Sequence, residues 1–270
     1  RLMCHYCGHS EPAYERCQQC GGVMTHLGTG TQKVEEELHA LFPGAKVLRM
    51  DTDTVGASHG HEKLLRQFEE EKIPILLGTQ MVAKGLDFEN VTLVGVLCAD
   101  ASLYIDNYRA PERTFSLLSQ VVGRAGRGSK QGRAIIQTFT PENEVIRAAA
   151  AQDYDAFYES EIRMRRLRRY PPFAYLFSFP VTGADEIRVI RAAKALRDAL
   201  GYSVERREEL KPLSIEVLGP AGASVVKVNN RYRYRVFLVG KGCPALRRLV
   251  AEYLYAFYQH KENRGLDIFA

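Results

Sequence analysis

Six cysteines occur in the 270 residues, and four of them, Cys4, Cys7, Cys17 and Cys20, crowd the start of the chain. They form two CxxC pairs, each followed by a glycine, Gly8 and Gly21. Two residues between thiolates let both sulfurs reach one tetrahedral ion, and glycine lets the backbone curl so that amides face the sulfurs. Paired CxxC at this density reads as Zn2+ binding in a reducing compartment, with fortuitous or redox thiols as the competing reading. Cys98 and Cys243 stand alone in apolar segments and are expected to be small buried hydrophobes without chemistry.

A second group lies at 78–88, GTQMVAKGLDF, directly after the apolar run 73–77. The carboxyl end of a buried strand is where open α/β sheets bind ligands. Thr79 and the glycines can offer backbone amides to a phosphate, and Asp87 a carboxylate to a cation or a ribose hydroxyl. An ordinary strand-to-helix turn is the alternative. A third group, Gln120-Val-Val-Gly123-Arg124-Ala-Gly126-Arg127, closes a helical stretch. Arg124 and Arg127 are three apart, so both guanidinium groups share one side of a helical turn. Such a fork suits a γ-phosphate, where arginine offsets developing charge. A solvated basic helix end would also be favoured, by the helix dipole.

The elements that must carry these groups follow from periodicity. Helices are predicted at 32–42, with Val34, Leu38 and Leu41 on one face, at 61–71 and at 110–125; strands at 45–51, 73–77, 91–98 and 134–139. Apolar strands separated by helices predict an α/β lobe with a parallel sheet over 28–142, preceded by a partial zinc-binding module at 1–27. Residues 143–170 read as one basic helical connector, broken at Pro171-Pro172. Beyond it, strands near 175–181, 215–218, 224–228, 231–239 and 266–269 and helices at 184–200 and 244–259 predict a small α+β domain at 171–270, with Asn229-Asn230 as a hairpin turn.

Charge divides along the same line. With 37 basic and 32 acidic residues the chain carries +5. Residues 1–170 hold 21 basic against 22 acidic, whereas 171–270 hold 16 against 10, so the surplus belongs to the last domain. There Arg231-Tyr232-Arg233-Tyr234-Arg235 sends three arginines to one face of a strand and two tyrosines to the other. The arginines can track phosphates and the tyrosines stack bases, or the tyrosines face the core and the arginines are merely solvated. A hydrophobic content of 46% excludes a disordered chain. No apolar run approaches the ~18 residues of a membrane helix, so no membrane partner is expected. The start at Arg1, in mid-pattern, predicts that the sequence is part of something longer.

GTQMVAKGLDF and QVVGRAGR resemble motifs V and VI of superfamily 2 helicases. Gly28-Thr29-Gly30-Thr31, Arg49-Met50-Asp51-Thr52-Asp53-Thr54, Tyr108-Arg109-Ala110-Pro111-Glu112-Arg113, Tyr170-Pro171-Pro172-Phe173 and Leu218-Gly219-Pro220 resemble, in order, the C-terminal half of the replication-restart helicase family. The resemblance implies a RecA-like second helicase lobe that meets a first lobe of the same chain across bound ATP and Mg2+. It implies that Arg124 and Arg127 reach the γ-phosphate, that Gln120 and Gly123 support them, and that Gly85 and Asp87 couple nucleotide to the DNA track. Thr79 becomes a DNA-backbone or interdomain contact, and Lys84, Arg231, Arg233 and Arg235 become DNA contacts. Branched or forked DNA, single-stranded DNA-binding protein and other primosome proteins are the implied partners, in a bacterial, nucleoid-associated, cytoplasmic setting.

The sequence also departs from that family. It has no GxxxxGK[ST] and no DExH-type box, so by itself it is expected not to hydrolyse ATP. The family's cysteines bind two zinc ions in interleaved order, and only the downstream four are present. The isolated chain is then expected either to rearrange to one four-cysteine zinc or to leave the knuckles partly disordered. A non-catalytic zinc-containing nucleic-acid-binding or primosome-interaction protein is the alternative reading.

Overall fold

The structure, a computed structural model, describes residues 2–3, 10–12, 14–16, 21–23, 30–51, 60–79, 91–123 and 132–270. Internal contacts group the chain into two compact units, residues 23–161 and residues 162–270 together with 1–22. Near the start, β1 (Leu2–Met3) and β2 (Ser10–Glu11) pair antiparallel.

In the 23–161 unit, α1 (Thr31–Leu41) buries Val34 but leaves Leu41 exposed in its last turn, against the expectation from spacing. The chain turns at Pro43-Gly44, with Gly44 at φ +86, a conformation open to glycine without penalty. β3 (Val47–Met50) follows, then α2 (Gly60–Glu70) and β4 (Ile75–Gly78), which pairs parallel with β3 in the register Val47 to Ile75. β5 (Leu93–Val96) and β6 (Arg133–Ile136) form a second parallel pair, joined through α3 (Asp100–Leu103) and α4 (Ala110–Val122). The expected α/β lobe with parallel strands is therefore present.

The single helix expected over 143–170 is two helices, α5 (Glu144–Ala151) and α6 (Tyr154–Leu167). Gln152 stands between them in left-handed backbone at φ 55. Its N–H and that of Asp153 return to α5 carbonyls, and the Asp153 carboxylate then accepts the Ala156 N–H at 2.9 Å to start α6. Stop and start are thus adjacent. The apolar core here is Ala99, Phe115, Leu118, Ile146, Ala149 and Phe157, with the rings of Phe115 and Phe157 stacked at 4.2 Å.

In the 162–270 unit, β7 (Tyr175–Gly183), α7 (Glu186–Arg206), β8 (Glu216–Val228), β9 (Arg231–Gly240), α8 (Pro244–Gln259) and β10 (Asp267–Ile268) build an α+β domain. Its four-stranded antiparallel sheet runs β10-β7-β9-β8. Asn229 and Asn230 make the hairpin turn with φ 49 and 59, the left-handed pair that a two-residue connection favours. The segments expected as separate strands at 215–218 and 224–228 are one strand, β8, interrupted by register shifts after Leu218 and Gly222. At the first shift Gly219 has φ +100, and a Cβ there would stand 2.7 Å from the Arg235 carbonyl oxygen. The close approach of β9 keeps β8 continuous through a break that only glycine permits.

Phe179, Val181, Val236 and Leu238 from the sheet meet Val189, Leu196, Leu200, Leu246 and Leu249 from the helices, all buried. Cys243 half-buries against this core, and its Sγ accepts the Leu246 N–H at 3.4 Å, so it caps α8 as well as packing. Phe179→Ala should cost about 3–5 kcal/mol in urea unfolding, whereas Leu218→Ala, at a half-exposed site, should stay within about 1 kcal/mol. Equal losses at the two positions would contradict this placement of the core.

Candidate functional site

β5 and β6 run parallel, so their carboxyl ends lie side by side, and Asp100 joins those ends. Its side chain is buried, at 3% exposure. It accepts hydrogen bonds from Thr138 Oγ1 at 2.8 Å, the Phe139 N–H at 2.9 Å and Thr140 Oγ1 at 2.6 Å, all just past β6. Burial pushes this carboxyl up, but the bonds from Thr140, the Phe139 amide and Thr138 outweigh it and hold the pKa below the ordinary carboxylate value. The next polar link passes to α4: Thr114, fully buried, donates from Oγ1 to Ser102 Oγ at 2.9 Å, and Ser102 donates to the Ala99 carbonyl at 3.1 Å. α4 is thereby tied to the strand ends by side chains as well as by the Phe115 packing.

The helix so fixed carries Gln120 on its exposed face, with Nε2 donating to Ser116 Oγ at 3.3 Å. It ends at Gly123, whose N–H returns to the Ser119 carbonyl at 3.0 Å. Thr79 is exposed immediately after β4, at the carboxyl end that ligand-binding strands use. Lys84, Gly85, Asp87, Arg124 and Arg127 lie outside the described residues, as do Cys4, Cys7, Cys17 and Cys20. Among the described residues no group of three or more His, Cys, Asp or Glu stands close enough to hold a metal ion.

A second polar cluster joins two stretches singled out in the sequence. Thr31 Oγ1 donates to Asp51 Oδ2 at 2.6 Å, and Arg49 bridges Asp51 at 3.1 Å and Glu35 at 2.8 Å. Asp51, 5% exposed at the carboxyl end of β3, thus holds the first turn of α1. Cys98, expected to be buried, is only half-buried and takes φ 56 in the turn from β5 to α3. A turn position after the strand overrides its apolar sequence context.

In the C-terminal domain the arginine strand has a defined polarity. Tyr232 and Tyr234 pack against the core, on the side of Val236 and Leu238. They therefore present no open platform. The Tyr234 hydroxyl donates to Glu186 Oε1 at 2.8 Å, and this bond together with burial raises the phenol pKa. Arg231 donates to the Thr182 carbonyl at 3.2 Å and pairs with Asp267; Arg233 donates to the Val225 carbonyl at 2.8 Å. Arg235 lies over the Phe237 ring, 5.2 Å from its centre. All three are half-buried on the sheet face opposite the helices.

Comparison with known proteins adds to this geometry. Residues 22–129 match the model of the helicase conserved C-terminal domain, and residues 166–268 that of the primosomal protein N C-terminal domain. Apart from Gly22, the first stretch falls in the 23–161 unit, and the second falls in the other. The chain is 42% identical over 269 residues to replication restart protein PriA of Bacillus subtilis, covering 99% of this chain and 32% of that protein. It is 40% identical over 238 residues to the protein of the same name from Synechocystis, covering 88% and 28%, and 37% identical over 257 residues to that from Treponema pallidum, covering 95% and 38%. A helicase C-terminal lobe followed by a primosomal C-terminal domain is the class that fold and matches define. Within it, the chain belongs to the PriA family of replication restart proteins, and spans about a third of the length of these relatives. No helix among the described residues is long and apolar enough to cross a membrane.

Asp100, Asp51 and Thr114 were not legible as site-supporting residues from spacing alone. A signal existed for Asp100, a lone carboxylate directly after an apolar strand. Asp100→Asn should lower unfolding stability by about 1–3 kcal/mol near neutral pH, since an amide cannot accept from all three donors. A depressed folded-state pKa means this stabilisation is complete above the unfolded carboxylate value, about 3.9, and is lost as pH falls through the folded value. The gap between wild type and variant should therefore narrow on acidification below about pH 4; a gap that widens there would contradict the assignment.

Proposed function

We propose that this chain is the ATP-closing second lobe and the DNA-holding C-terminal domain of a 3′ to 5′ DNA helicase that binds stalled or branched replication forks and starts primosome assembly. The observation that carries the reading is α4: in a chain of the PriA family, a helix tied at its base to the strand ends by Ser102 and Thr114 carries exposed Gln120 and ends at Gly123, which Arg124-Ala-Gly-Arg127 follow in sequence. In this reading Arg124 and Arg127 meet the γ-phosphate of ATP bound with Mg2+ on a first lobe, where cationic side chains offset charge that grows in the transition state. Gln120 and Gly123 orient them. Gly85 and Asp87 pass the state of the nucleotide to the DNA track, which Thr79 and Lys84 contact.

The basic C-terminal domain holds the branched DNA. Arg233 is anchored to its own sheet, so in this role it offers a fixed positive charge to phosphates, and Arg231, paired with Asp267, reaches a phosphate by exchanging that carboxylate for it. Arg235 completes the row. Cys4, Cys7, Cys17 and Cys20 hold Zn2+, the spacing of each pair fitting tetrahedral thiolate ligation. Single-stranded DNA-binding protein and other primosome proteins are the partners of the assembled machine.

Replacing Arg124 or Arg127 by alanine in the complete helicase should cut ATP turnover on the order of 10³-fold and abolish unwinding. Fork binding, followed by fluorescence anisotropy, should persist. ATP hydrolysis at the wild-type rate in either variant would refute the arginine assignment.

A further inference from the structure

Gln152 breaks α5 from α6 in left-handed backbone, a region that side chains other than those of asparagine and aspartate seldom enter. Its N–H closes α5 on the Ala148 and Ala149 carbonyls, and the Asp153 N–H on Ala148. Glycine would make these backbone bonds equally well and without the left-handed penalty. A strained residue in place of an unstrained one asks what its side chain does.

That side chain reaches the end of α4. Gln152 Nε2 donates to the Ser119 carbonyl at 3.3 Å, the same oxygen that takes the Gly123 N–H at 3.0 Å. It also stands 2.9 Å from where a Cβ on Gly123 would be. The amide thus fills the space that a side chain at Gly123 would occupy and grips the last turn of α4 from outside. A glycine at a helix end has wide conformational freedom, and the Gln152 amide bears on the turn that carries it.

We propose that Gln152 is a positioning residue, a clasp from the α5–α6 junction that holds the last turn of α4, the turn that Arg124 follows in sequence. The proposal rests on the reading of Arg124 as a γ-phosphate contact. Its effect is therefore on the transition state, not on nucleotide affinity, because misplacing a group that acts on developing charge slows turnover without weakening ground-state binding.

Backbone strain makes the test decisive. Gln152→Gly removes the clasp and relieves the left-handed conformation; Gln152→Asn keeps a residue suited to that conformation, with an amide one methylene too short to reach Ser119. In the complete helicase, both variants should keep the wild-type Tm or exceed it. Their kcat for ATP should fall on the order of tenfold, with KM for ATP within about twofold of wild type. Wild-type kcat in either variant overturns the clasp. So does a fall in kcat matched by a fall in Tm in both, which would make Gln152 merely structural. Arg124→Ala, assayed alongside, separates the two claims: wild-type turnover in that variant overturns the arginine reading itself, whereas its loss beside intact Gln152 variants overturns the clasp alone.

Discussion

The carboxylate of Asp100 is the interaction on which the described part of the 23–161 unit closes. β5 and β6 are four residues each, too short to define by their ladder alone how the chain leaves them. Three donors from the β6 exit converge on one buried acceptor from the β5 exit, and each bond to a charged group contributes more than a neutral one, about 1.5–3 kcal/mol. The carboxylate stays ionised because those bonds outweigh its burial. From this point Ser102 and Thr114 carry the constraint into α4, and the Phe115–Phe157 stack carries it on into α6. The base of α4 is thereby held by side chains as well as by its own ladder, which fixes its length but not its direction.

The C-terminal domain solves a different problem. Its sheet has one face packed by α7 and α8 and one face holding the arginine row, so the same strand, β9, supplies core and charge in alternation. An ion pair adds to the packing of the helices: Arg207 meets Glu252 through two bonds, at 2.9 and 2.6 Å, which hold the Glu252 carboxyl below its ordinary range.

Much of this was legible from the sequence. Parallel strands and their helices stood out because apolar runs and helical faces repeat with different periods, and Asn229-Asn230 announced its hairpin. The orientation of Tyr232 and Tyr234 stayed open between base stacking and core packing; Val236 and Leu238 share their parity, and burying the aliphatic pair commits the tyrosines to the core side. Other features were not. The run Ala148 to Ala151 favours helix so strongly that it masks the break at Gln152, whose one local sign is Asp153, the acceptor that starts α6. Gly219-Pro220 reads as the end of a strand, yet β8 continues because the neighbouring β9 backbone accepts the irregularity. Cys243 as a helix cap and Asp100 as a brace use single polar atoms, which no periodicity reports. Asp87, Arg124, Arg127 and the four clustered cysteines were singled out by type and spacing, Lys84 and Gly85 by the family resemblance, and all lie outside the described residues.

In the proposed division of ATP chemistry, arginines of this chain close the site, and the GxxxxGK[ST] loop, which its sequence lacks, comes from a first lobe. ATP hydrolysis by the purified 270-residue chain, compared with the complete helicase on forked DNA, tests that division most directly. The expected result is no turnover above background from the chain alone, with or without DNA, and DNA-stimulated hydrolysis by the complete protein. Turnover by the isolated chain would contradict it.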